Sequence, residues 1–168
     1  SSRKTVYSIE DNMFRFWYRF VPENMSIISR GASDLAYSRI APHISTYMGG
    51  VFEEICRQYL WKLLLEGKSP VEFSQLGRWW GTNPKTRIQE EIDIMGADKS
   101  SALFAECKWT NEPVDSGVLE KLLERGNLFS CNERHYCIFS KSGFTKGCED
   151  KANRLGNVKL VRYDEMFM

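Results

Sequence analysis

From residue 51 to residue 65 the apolar positions recur at helical spacing: Val51, Phe52, Ile55, Cys56, Tyr59 and Leu63 share one arc at about 100° per residue. This predicts a core helix. Glu53 falls at the edge of that arc, between Leu60 and Leu64, where a solvated carboxylate is not expected, so a buried or cleft-facing acid is implied. Glu54 lies further round, near Gln58 but also near Trp61 and Leu65, and the wheel separates the two acids only modestly. Downstream the period shortens to two. Residues 89–96 and 102–109 alternate about the polar turn Asp98-Lys99-Ser100-Ser101 and predict a β-hairpin. Helices are expected over 118–129 and 148–155, strands over 136–140 and 158–161, and a loop or short strand at Gly77-Arg78-Trp79-Trp80-Gly81.

The N-terminal part is patterned differently. Residues 6–9 read as a short strand and 14–20 as an aromatic-rich helix that Pro22 should stop. Gly31 and Pro42 then punctuate a short second helical piece, and Gly49-Gly50 precedes the periodic helix. The expected organisation is an N-terminal extension over 1–45 and one α/β domain over 46–168. The chain begins Ser1-Ser2-Arg3 without an initiator Met and reads as a piece of a longer protein.

Charge adds little to this picture, because 23 Lys and Arg against 22 Asp and Glu leave a formal +1 and no global field to attract nucleic acid. Contact with a polyanion would need local basic patches. The five cysteines lack any C-x-x-C pair or zinc-finger histidine spacing, which fits reduced thiols in a cytoplasmic protein. No apolar run reaches the roughly 20 residues of a membrane-spanning helix.

The hairpin carries the candidate chemistry. If it closes symmetrically about Lys99-Ser100, positions summing to 199 oppose each other, which sets Asp93 across from Glu106 and Glu91 across from Lys108. Opposed strand residues have Cβ atoms about 4.5–5.5 Å apart, so the two carboxylates would repel unless a cation lay between them. Lys108 shares the Glu106 face by period-2 geometry, and the Cys107 carbonyl is free to turn toward the same ion. Carboxylates with a main-chain carbonyl form a hard oxygen set suited to Mg²⁺ or Mn²⁺ rather than zinc. Such a site, with an adjacent ammonium to orient or deprotonate water, suits phosphodiester hydrolysis. Alone, Glu-x-Asp or Glu-x-Lys on a strand is usually a solvated face; the joint placement with Glu53 is what points to a site.

Glu53, Asp93 and Glu106-Cys107-Lys108 match in order and type the acid helix, acid strand and E-x-K strand of PD-(D/E)XK nucleases, a resemblance spanning roughly residues 47–163. The Pro-Asp of the class name is Ile92-Asp93 here. More narrowly, Tyr7-Ser8-Ile9 with Asp11, the run from Phe14 to Phe20, Gly50-Val51-Phe52-Glu53, Gly77-Arg78-Trp79-Trp80, Glu91-Ile92-Asp93 and Glu106-Cys107-Lys108-Trp109 resemble the DUF234 family. In those archaeal and bacterial ATPases a P-loop domain and a winged helix precede this C-terminal nuclease-like domain. The resemblance implies a PD-(D/E)XK core with a central mixed sheet flanked by helices, and a metal at the mouth of the hairpin. It also implies that 6–9 ends a winged helix, and that the ATPase and winged-helix domains belong to the full-length chain. No G-x-x-x-x-G-K-[ST] occurs in the present sequence.

The expected function is metal-dependent cleavage of DNA, with Glu53, Asp93, Glu106 and Lys108 catalytic and the metal held by Asp93, Glu106, the Cys107 carbonyl and Glu53. DNA is preferred to RNA by family analogy. The alternative is a non-catalytic DNA-binding or regulatory domain of an ATPase. Arg78, Trp79, Lys85, Arg87 and Lys121 are the candidate nucleic-acid contacts, with a packed Trp beside an exposed one favoured at 79–80. Lys121 and Arg125, four apart on one helix, could line a groove, but a solvated outer face is favoured. Glu91 is equally a support of the metal shell or an ion-pair partner of Lys108. His43 and His135 have no carboxylate at motif spacing and read as structural.

Overall fold

The computed structural model describes residues 11–167, so the expected strand at 6–9 lies outside the described residues. The chain divides into two compact units at Val51/Phe52. Helix α2 (Ser33–Leu65) runs through this division, as it does through the boundary expected at 45/46.

The first unit holds α1 (Asn12–Ile28) and the N-terminal part of α2. Asp11 caps α1, its carboxylate accepting the Phe14 N–H at 3.0 Å. Pro22 does not stop α1, and Pro42 does not break α2. Both prolines are exposed, and the carbonyls they orphan, on Tyr18 and Ser38, belong to exposed residues that water can reach. Packing holds the pair together instead: the Phe16 and Phe20 rings each lie 5.7 Å from that of Tyr47, whose hydroxyl donates to the Asn12 carbonyl at 2.6 Å.

The second unit is α/β, with a five-stranded mixed sheet in the order β1-β2-β3-β4-β5. The strands are β1 (Gly77–Thr82), β2 (Gln89–Ala97), β3 (Ser101–Lys108), β4 (Glu133–Ser140) and β5 (Val158–Arg162). β1–β2 and β2–β3 are antiparallel; β3–β4 and β4–β5 are parallel, connected through α3 (Ser116–Gly126) and α4 (Lys146–Leu155). One face packs on α2 through Phe52, Cys56, Leu60 and Leu63 against Ile94, Leu103, Ala105 and Phe139. The other packs on α3 and α4 through Leu119, Leu122, Cys148 and Ala152 against Ile92, Phe104 and Ile138. β3 lies at the centre, covered on both faces, so Ser101 to Glu106 are all buried and strict alternation is lost there. Among the described residues, no helix is long and apolar enough to cross a membrane. All five cysteines are free.

Candidate metal centre

The β2–β3 register matches the expected closure, with Ile94 opposite Ala105 and Ala97 opposite Ala102, but the ladder ends at Ile94. The cause is a bulge in β2. Between Gly77↔Met95 and Trp79↔Ile92, β1 advances two residues while β2 advances three. The extra residue resets the alternation, so Ile92 packs in the α3 side of the core and Ile94 in the α2 side, with Asp93 between them. Asp93 then takes the place of a strand partner: its Oδ2 accepts the Cys107 N–H at 2.9 Å.

This splayed end of the hairpin collects the acids. Asp93 and Glu106 are both buried, at 8% and 6% exposure. Burial pushes the Glu106 carboxyl above its usual range and the neighbouring Asp93 charge adds to the rise, while Lys108 and Arg125 oppose it. Lys108 Nζ donates to Glu106 Oε1 at 2.7 Å, and Arg125 Nη1 donates to Oε2 at 3.2 Å. Burial works against the Lys108 charge, but the hydrogen bond and attraction of Glu106, with help from Asp93, outweigh it, and the ammonium is held above its ordinary value. Arg125 also donates to Glu90 Oε2 at 2.9 Å.

A second group borders the first. Glu53, half-buried on α2, is paired with Arg78 of β1, whose other guanidinium nitrogen lies 3.9 Å from Glu91. The hydrogen bond that Arg78 donates to Glu53 raises the Arg78 pKa, and the charges of Asp93 and Glu91 add to the rise. Glu91 thus faces Arg78 rather than Lys108 in the structure. Among the described residues, no three His, Cys, Asp or Glu side chains are grouped closely enough to hold a metal ion. Asp93 and Glu106 come together with Lys108; Glu53 is drawn aside by Arg78.

The donor chemistry nevertheless fits a hard divalent cation. Two buried carboxylates that repel each other, beside the Cys107 main chain, offer the one or two carboxylates that Mg²⁺ takes while keeping its remaining sites for water or phosphate. Charge points the same way: Glu53, Glu90, Glu91, Asp93 and Glu106, when ionised, face the three cations Arg78, Lys108 and Arg125, a net excess of two negative charges.

Of the expected nucleic-acid contacts, Lys85 and Arg87 are exposed in the β1–β2 turn, where Arg87 adopts φ 62, and Lys121 is exposed on α3. Trp79 packs edge-on against Phe129 at 4.9 Å and covers Gly81, where a Cβ would meet the Trp79 ring at 2.5 Å; Trp80 is the exposed ring, at 70%. Arg125 corrects the solvated-face reading. It neighbours the buried stripe Leu119, Leu122 and Gly126, and α3 sits so close to β4 that a Cβ on Gly126 would meet the Tyr136 hydroxyl at 2.6 Å. The signal was its spacing, three residues after Leu122 and one before Gly126, which puts it beside the core face. His43 is exposed and His135 half-buried, its Nε2 3.8 Å from Glu133.

The fold and site thus define an α/β domain with a buried pair of carboxylates and a lysine at the splayed end of an antiparallel hairpin. The chain belongs to DUF234, described as archaea bacterial proteins of unknown function, which matches residues 17–122. It is 34% identical over 146 residues to "Uncharacterized protein MJECL04" of Methanocaldococcus jannaschii, an alignment covering 83% of this chain and 31% of that protein. The chain therefore spans about a third of that relative's length. Among solved structures it is similar to "Crystal Structure of Protein of Unknown Function AF1548", at 17% identity and TM-score 0.41, over 66% of this chain and 58% of the other.

Proposed function

We propose that the second unit is a PD-(D/E)XK-type nuclease domain that hydrolyses DNA phosphodiesters with Mg²⁺ or Mn²⁺. The observation that carries this reading is the pair Asp93 and Glu106, buried on adjacent strands with a half-buried lysine 2.7 Å from one of them. A stable core does not need two repelling acids in that place, whereas a cation site does. Asp93, Glu106 and the Cys107 carbonyl would hold the ion, with Glu53 supporting them if Arg78 yields it. When bound, the ion supplies an activated water and neutralises charge developing on the phosphoryl group.

The chain's own groups do the rest. Lys108, kept charged by Glu106, orients the water or the phosphate. Lys85, Arg87 and Lys121 offer exposed cations for backbone phosphates, and Trp80 an exposed ring for stacking. The preference for DNA, and the presence of ATPase and winged-helix domains elsewhere in a longer chain, rest on the family resemblance. A second reading, a DNA-binding or regulatory domain that does not cut, is favoured by one observation: both oxygens of Glu106 are already engaged by Lys108 and Arg125. Incubating supercoiled plasmid with the 168-residue chain and Mn²⁺ separates the two. Nicking that is lost in Asp93→Ala is the expected result; DNA retention without nicking would favour the second reading.

A further inference from the structure

Arg125 reaches Glu106 from a helix that the E-x-K motif does not include. Its side chain is 19% exposed and stretched between two carboxylates, Glu106 at 3.2 Å and Glu90 at 2.9 Å. The Glu106 side chain has no oxygen free of a cation, since Lys108 holds the other. Each Glu106 oxygen keeps a second lone pair, but a divalent ion bound there would sit against the positive charges of Lys108 and Arg125, so its entry is eased if one of these partners withdraws. Lys108 sits two residues along the same strand and has Glu106 as its ion-pair partner, so withdrawal would leave a half-buried ammonium unpaired, which is costly. Arg125 has somewhere to go. Its Nε already donates to Glu90, and a guanidinium can turn its fork fully onto that second carboxylate without losing its charge compensation.

We propose that Arg125 is the displaceable counter-ion of the metal centre: it occupies Glu106 in the metal-free domain and moves onto Glu90 when a divalent cation enters. The inference rests on the metal-binding reading above and adds a regulatory device to it. Arg125 is a positioning residue in this account, and Glu90 is its receiver. The two carboxylates then have opposite relations to the ion although both are acids. Glu106 binds it, while Glu90 favours it by holding Arg125 away.

Calorimetric titration of the 168-residue chain with Mn²⁺ at fixed ionic strength tests this. Arg125→Gln removes the competitor and should tighten binding about tenfold, the scale of one close charge at the partly screened edge of a protein. Glu90→Gln removes the receiver, leaves Arg125 to Glu106 alone, and should weaken binding several-fold. The double variant should lose far less relative to Arg125→Gln than Glu90→Gln loses relative to wild type, because without Arg125 the receiver keeps only its share of the site's negative charge. Arg125→Lys keeps the charge and loses the fork, so it should fall between wild type and Arg125→Gln; with Glu90→Gln it carries the test if Arg125→Gln does not fold. Unchanged or weaker binding in Arg125→Gln, against a wild type that binds, would overturn the inference and leave the metal site standing. So would a double variant that retains the whole Glu90→Gln loss. If no protein in the series, wild type included, binds Mn²⁺, the metal reading itself fails and takes the inference with it.

Discussion

The two ends of the β2–β3 hairpin treat their acids in opposite ways. At the turn, Asp98 accepts the Ser100 and Ser101 N–H groups at 2.7 and 2.8 Å and the Ser101 hydroxyl at 2.8 Å, and these donors lower its pKa to about 2. At the open end, Glu106 is buried beside Asp93 and its carboxyl is pushed up. One acid is wanted by the fold and the other is tolerated by it. Asp98 closes the turn and sets the register that runs from Ala97↔Ala102 to Ile94↔Ala105. Glu106 contributes nothing comparable to pairing, and burial beside Asp93 disfavours its charged form. Groups kept against their own solvation are expected where they serve something other than folding.

The largest effect should come from the open end. Glu106→Gln and Asp93→Ala should each remove Mn²⁺ binding and plasmid nicking together, without unfolding the domain. The signs of the pH effects sharpen the contrast. Because the folded pKa of Glu106 is raised, its ionisation lowers stability as pH climbs from the ordinary carboxylate value through the raised one, and Glu106→Gln should flatten that part of a stability profile. Thermal melts across mild acid to neutral pH read this slope. A wild-type profile with no such fall would mean that the acid is not strained.

Lys108→Ala comes next. The ammonium can serve only the water or the phosphate, so its loss should cut nicking by about 10²- to 10⁴-fold while Mn²⁺ binding survives or improves slightly. Equal loss of binding and cleavage would instead make Lys108 a prop for Glu106. At the turn end, Asp98→Ala should lower Tm without touching Mn²⁺ affinity. Since the folded pKa of Asp98 is depressed, its contribution is present above the ordinary carboxylate value and is lost as pH falls through about 2, so acid unfolding of the variant should lack that component. The smallest effect belongs to Glu54, paired with Arg57 and Gln58 on the outer side of α2. Glu54→Gln should change stability by no more than about 0.5 kcal/mol and leave metal binding intact; a large effect would erase the distinction drawn between Glu53 and Glu54.

Much of the hairpin could be read from sequence because its determinants are local: a turn with Asp98 and two serines, flanked by runs whose lengths match. The C-terminal part of α2, over 51–65, was legible for the same reason, through one apolar arc, whereas its continuation back through Gly49-Gly50 to Ser33 was not. The bulge at Asp93 was not, because it arises from the pairing of β2 with β1, and Gly77 and Trp79 carry no pattern that fixes where β2 gains a residue. The helices through Pro22 and Pro42 escaped because propensity charges the full cost of a lost bond, whereas exposed carbonyls regain it from water and the Phe16, Phe20 and Tyr47 rings supply the packing. Motif logic singled out Asp93, Glu106 and Lys108 but not the arginines that pair with the acids of this cluster. Arg78 and Arg125 come from β1 and α3, and the carboxylates they meet are set by tertiary packing, such as the closeness of α3 to β4 at Gly126.

A Mn²⁺ soak of crystals of the chain, with an anomalous difference map, bears most directly on the central claim. The expected result is a peak roughly 2.0–2.6 Å from oxygens of both Asp93 and Glu106, the range for hard divalent cations, with the Arg125 guanidinium withdrawn onto Glu90. A map with no peak between those two acids, at a Mn²⁺ concentration that supports nicking, would contradict it.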